Sequence, residues 1–173
     1  MDWLAGELAR IYEKQTAALC RDPWAVRDAY IDVILDRSRE NVRAFFSRHA
    51  ARSLAEDEKI LFLKLLEMQR HGMLMYTSCG WFFDDVSGIE TVQILRYASR
   101  AIQLAQEIGG GALEGKFAEF LREARSNRHE KRDGAYIYEM EVKPAVVDLV
   151  RVGAHYAVSS LFEDYTCLLY TSP

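Results

Sequence analysis

The stretch ILFLKLLEMQRHGMLMY, residues 60–76, constrains the fold more than any other part of the chain. Its apolar side chains recur at helical spacing but are not confined to one stripe. A helix apolar on most faces has to be enclosed by other elements. Ser53 and Glu56 read as a capping box at its start, each satisfying a free backbone donor of the other, so a central helix is expected over 54–75.

The remainder supplies the helices to surround it. Residues 2–19 place Trp3, Leu4, Leu8, Ile11, Tyr12 and Leu19 near one stripe at three- and four-residue spacings. Asp22 followed by Pro23 is a helix start, an acceptor at the N-cap and a residue that needs no amide donor in the first turn. The next helix is expected over 23–37, with Trp24, Tyr30, Ile31, Ile34 and Leu35 inward, and Ser38 caps another through 48. Residues 77–88 read as a loop, and Ser87 as the cap of a helix over 88–108 that stops at Gly109-Gly110-Gly111. A short helix follows over 113–125, then a charged loop. Residues 136–142 fit strand or helix equally, and Pro144 opens a last helix through 162. The expected fold is all-α, six to seven helices around the central one, in a single domain over 1–165.

The arithmetic agrees with such a domain. The chain has 173 residues, half of them hydrophobic. A chain of this length buries roughly 70% of its unfolded surface and needs no covalent or metal staple. That apolar content excludes intrinsic disorder. With 22 Lys+Arg against 26 Asp+Glu and no basic block, no nucleic-acid partner is expected. Cys20, Cys79 and Cys167 are odd in number and far apart, which points to free thiols in a reducing compartment. Charges interrupt the N-terminus, so it does not read as a signal peptide. The longest uncharged stretch, 71–83, is too short to cross a bilayer. A cytoplasmic protein with no membrane partner is expected.

The most distinctive stretch chemically is Thr77-Ser78-Cys79-Gly80-Trp81-Phe82-Phe83-Asp84-Asp85. Aromatic faces beside carboxylates suit sugar rings, whose C–H faces stack while their hydroxyls donate to the acids. Cys79, Trp81, Asp84 and Asp85 are therefore candidate binding residues. The structural alternative is that the three aromatics plug the core and Asp84 caps the next helix. Glu67, Arg70 and His71 share one face of the central helix, where charges must be paired or must face a cavity. With Glu90 they form a candidate supporting network, or else a buried ion pair with Asp84 or Asp85. Two further polar stripes, Glu90-Gln93-Tyr97-Arg100 and Asp148-Arg151-His155-Ser159, read equally as solvated faces. His49, His71, His129 and His155 are scattered without ligand spacing, so neither a metal site nor a cofactor is expected.

The block LEMQRHGMLMYTSCGWFFDDVSGIETVQILRYASRAIQLA, together with DPWAVRDAYIDVILDRS and IYE…VKPAVVDLVRVGAHYAVSSLFE, resembles a helical domain of unknown function. That domain follows the catalytic domain in proteins of glycoside hydrolase family 57. The resemblance implies a carbohydrate context, an α-glucan or related polysaccharide, and a retaining mechanism run by two carboxylates. It places both of those on a barrel N-terminal to the helical region, so no catalytic residue is assigned to this chain. The implied partners are that catalytic barrel and the carbohydrate in its cleft. The resemblance implies that Thr77 to Asp85 is the counterpart of a late motif that some family members place at the border of the sugar cleft; where that motif reads Ser-Asp-Trp, this chain reads Ser78-Cys79-Gly80-Trp81. The helical domain alone is expected to be inert, and to self-associate through the face meant for the barrel. A free-standing helical interaction module is the alternative.

The last residues, TCLLYTSP, resemble translated sequencing-adapter read-through. Residues 166–173 are accordingly expected to be a non-native tail, with the native continuation missing and Met1 an internal start.

Overall fold

The computed structural model describes residues 1–146 and 149–162, and these contain helices and turns but no strand. The helices are α1 (Asp2–Thr16), α2 (Pro23–Ala29), α3 (Ile31–Leu35), α4 (Arg39–His49), α5 (Glu56–Leu74), α6 (Ile89–Glu107), α7 (Glu114–Leu121), α8 (Gly134–Ile137) and α9 (Leu149–Ser159). The expected all-α bundle is the fold. Tyr165 and the 166–173 tail, with Cys167, lie outside the described residues.

The framework is α1, α5 and α6. Gln69 of α5 donates to the Leu8 carbonyl at 2.9 Å, and the Tyr76 hydroxyl beyond its end donates to Asp2 at 2.6 Å, so α1 and α5 run antiparallel. Lys64 meets Glu107 at 2.9 Å and the His71 ring meets Tyr97, which makes α6 antiparallel to α5 as well. Phe62, Leu65, Leu66 and Met68 of α5 are fully buried among Leu4, Leu8 and Tyr12 of α1 and Leu95, Ala98 and Ile102 of α6. Enclosure is incomplete: Ile60 and Met73 remain half exposed, and one side of α5 opens on a groove.

Several helix starts form as their residues dictate. Asp22 accepts from the amides of Trp24 and Ala25, and Ser38 from that of Asn41. Others shift. The α5 N-cap is Ala55, two residues beyond Ser53, because Glu58 and not Glu56 reaches back to an amide, accepting from Ala55 at 2.9 Å. Arg52 holds Glu58 there through both oxygens. Ser87 does not cap α6; its hydroxyl and amide both donate to Asp85, and Gly88 occupies the cap.

The expected helix over 23–37 is broken at Tyr30, whose amide bonds to Arg27. Val26, Tyr30 and Val33 form the buried stripe, which leaves Ile31 and Leu35 exposed rather than inward. Residues 136–142 are helical: α8 runs into a wide π-helical turn (Tyr138–Val142) that buries Tyr138 against Phe117 at a centroid distance of 5.7 Å. Pro144 sits in a 3₁₀ turn (Lys143–Ala145) and not at the start of the last helix. In α9 and just beyond it, Val150, Val158, Leu161 and Phe162 are exposed. No helix of the described residues is long and apolar enough to cross a membrane.

Candidate functional site

The loop between α5 and α6 opens with a 3₁₀ turn, Ser78–Trp81, that is held at both ends. Gly80 is buried against α6, where a Cβ would stand 1.9 Å from Ile94 Cγ1, so only glycine lets the backbone come this close. Thr91 donates to the Gly80 carbonyl at 3.1 Å, and the Trp81 indole donates to the Met75 carbonyl at 3.0 Å. At the other end, Asp85 accepts from the Ser87 amide, the Ser126 hydroxyl and the Asn127 amide, the last at 2.6 Å. Hydrogen bonding from Ser87 leads the causes that hold its carboxyl well below the usual range, at about 2. Asn127 also donates to the Asp84 carbonyl at 2.8 Å.

These anchors present the aromatics outward. Trp81 is 55% exposed, Phe82 82% and Phe83 57%, so the alternative in which the three plug the core does not hold. Phe82 and Phe83 meet edge to face at 5.3 Å. Asp84 does not cap α6; its carboxylate is exposed and makes no hydrogen bond or ion pair among the described residues. Cys79 is an exposed free thiol, while Cys20 is buried. Glu90 lies in the first turn of α6, its carboxylate close to Gly88.

Glu67, Arg70 and His71 form a second cluster, separate in its contacts from the loop. The carboxylate of Glu67 is almost buried, and it accepts from the Tyr30 hydroxyl at 2.8 Å, Arg37 at 3.2 Å and Arg70 at 3.1 Å. Its ion-pair partners are thus Arg37 and Arg70; neither Asp84 nor Asp85 takes part. A carboxylate removed from water requires this compensation. His71 Nδ1 donates to the Glu67 carbonyl at 2.9 Å, which leaves Nε2 as the ring's unprotonated nitrogen in the neutral form. Burial lowers the His71 pKa, outweighing the carboxylate of Glu67.

Tyr30, Arg37 and His71 also line the groove beside α5, an open depression of about 2310 Å³. Sequence reading missed it because its wall residues are spread from Tyr30 to Val152, across α3 to α6 and the segment from Val142 into α9, and none forms a motif. Of the polar stripe on α6, Arg100 lines the groove and Tyr97 packs on His71. On the last helix, Arg151 donates to the carbonyls of Pro144 and Val146, and Ser159 to that of His155; Asp148 lies outside the described residues. No group of three or more potential metal-ligating side chains occurs among the described residues.

Over residues 1–170 the chain matches a protein family described as a domain of unknown function, DUF3536. No curated protein and no solved structure matches.

Proposed function

The chain belongs to the DUF3536 family of domains of unknown function, and from that premise we propose that it is an accessory domain of a family 57-like glycoside hydrolase. It packs on a catalytic barrel N-terminal to it and lines one wall of the carbohydrate cleft with the loop of Cys79, Trp81, Asp84 and Asp85. The observation that carries this reading is the outward presentation of Trp81, Phe82 and Phe83 on an anchored turn, beside the uncommitted carboxylate of Asp84. Three consecutive exposed aromatics cost solvation free energy with no return inside the domain. Against a sugar face or an apposed domain they bury that area, and Asp84 accepts from ring hydroxyls. Asp85, Glu67, Arg70, His71 and Glu90 hold the scaffold; the catalytic carboxylates belong to the barrel, and this domain alone is inert.

The test is soluble α-glucan turnover by a protein carrying both barrel and helical domain, with Trp81→Ala and Asp84→Ala. A fall in kcat/KM with folding intact is expected; unchanged kinetics in folded variants overturn the cleft role. A second reading, a free-standing interaction module, is favoured by the apolar side chains that α9 leaves exposed. Genes of this family without an in-frame barrel upstream would decide for it.

A further inference from the structure

Among the described residues, eight arginine and lysine side chains line the groove beside α5, against Glu56 and Glu107. The chain as a whole has the opposite balance, 22 cations to 26 acids. Part of the groove's charge is neutralised locally. Lys59 pairs with Glu56 at 2.6 Å, and Lys64 and Arg100 share Glu107 at 2.9 and 3.6 Å. Arg39 and Arg43 on α4 and Arg96 on α6 make no hydrogen bond or ion pair among the described residues, and all three are exposed. Between them the floor is apolar, formed by Val42, Ile60 and Leu63, of which Ile60 is 49% exposed.

A cationic rim over an apolar floor has one good complement: a helix with an apolar stripe flanked by carboxylates. We propose that this groove docks an acidic amphipathic helix of a partner protein. Its stripe lies on Val42, Ile60 and Leu63, and its acids face Arg39, Arg43 and Arg96. The size agrees, because three helical turns, ~10 Å across and ~16 Å long, occupy roughly 1300 Å³. Single-stranded nucleic acid would need exposed aromatic platforms for its bases. The groove's own aromatic rings, Tyr30 and Phe46 at 4% and 7% exposed and the His71 side chain at 17%, are too buried to serve. The proposal does not depend on the reading of the aromatic loop, which lies on other residues.

The probe is a labelled synthetic peptide of roughly four turns, with leucines at i, i+3, i+4 and i+7 and glutamates on the flanking positions. Its binding to the full chain is followed by fluorescence anisotropy. A matched peptide with lysines for glutamates, another with serines for leucines, and a single-stranded oligonucleotide are the comparisons. The glutamate peptide should bind, and added salt should weaken it. The lysine and serine versions should bind at least about tenfold more weakly, or ~1.4 kcal/mol. Arg43→Glu with Arg96→Glu should cost the same factor, and these exposed, unpaired positions leave the fold intact by circular dichroism. Ile60→Asp reads the apolar half separately and should also weaken binding. Absence of binding, equal binding of the lysine peptide, indifference to the double variant, or tighter binding of the oligonucleotide would each overturn the proposal.

Discussion

The Tyr30 hydroxyl donates to Glu67 Oε1 at 2.8 Å, joining the break between α2 and α3 to the middle of α5. Burial and the adjacent carboxylate raise the Tyr30 pKa well above its ordinary value, so it remains a donor throughout the working pH range. Arg37 and Arg70 complete the shell of Glu67. Tyr30→Phe removes one donor from a nearly buried carboxylate without changing the packing volume of the ring. The expected loss is ~1–3 kcal/mol of unfolding free energy, read from denaturant titration. A variant as stable as the parent would show that the two arginines suffice.

Gly80 offers a sharper steric test. Alanine there places a methyl 1.9 Å from Ile94 Cγ1 and 2.6 Å from its Cδ1, and Ile94 is itself 2% exposed. The isoleucine has no room to swing away, so the loop has to lift from α6. Gly80→Ala should cost ~1–3 kcal/mol. Adding Ile94→Ala frees the space, so the double variant should lose clearly less than the sum of the two single losses. Additive losses would mean that the loop does not rest on α6 as described.

Asp85 ties the other end of the same loop to residues 126–127. Its carboxyl titrates at about 2, below its ordinary 3.8, chiefly because Ser87 donates to the ionised form. A depressed carboxylate contributes stability above its unfolded pKa and loses it as pH falls through the folded one. The clamp should therefore hold at neutral pH and release progressively between about 3.8 and about 2. Asp85→Ala should mimic the acid state at neutral pH. The readout is hydrogen exchange at the Asn127 amide, which donates to Asp85 and should lose protection. Undiminished protection in the variant would count against the clamp.

These cases show what was legible in the sequence. Asp22, Ser38 and the Gly109 stop were readable because a cap acts within three or four residues, and Gly109 adopts the expected positive φ of 78°. The α5 start was misplaced by two residues because acids at 56, 57 and 58 compete for one amide, and Arg52 decides in favour of Glu58. Apolar bulk puts Ile31 and Leu35 inward together with Tyr30, whereas the residues that share the buried face of Tyr30 are Val26 and Val33. The bond from Tyr30 to a carboxylate 37 residues away fixes which face turns in. In the aromatic loop the residues were legible, but their exposure was not. It follows from the close approach of Gly80 to Ile94 and from the Asp85 clamp, both tertiary. The groove was invisible for the same reason, its cations being spread from Arg37 to Arg100.

His71 gives the pH dependence opposite to that of a histidine gaining a partner. It is largely buried on α5, near Arg70 and Arg100, and burial lowers its pKa below the ordinary 6.5 despite the Glu67 carboxylate 3.7 Å away. As pH falls through 6.5 the unfolded chain takes up a proton that folded His71 still refuses, so the unfolded state binds more protons. Stability should therefore fall with acidification from about pH 7 to about pH 5.5, where the unperturbed imidazole becomes charged. His49 is lowered too, chiefly by burial, and adds a slope of the same sign. His71→Gln keeps an amide able to donate to the Glu67 carbonyl while removing the titration. Its stability, measured by denaturant unfolding across this range, should fall less steeply than the parent's and retain only the His49 part. Equal slopes would show that His71 is solvated enough to titrate as it does in the unfolded chain.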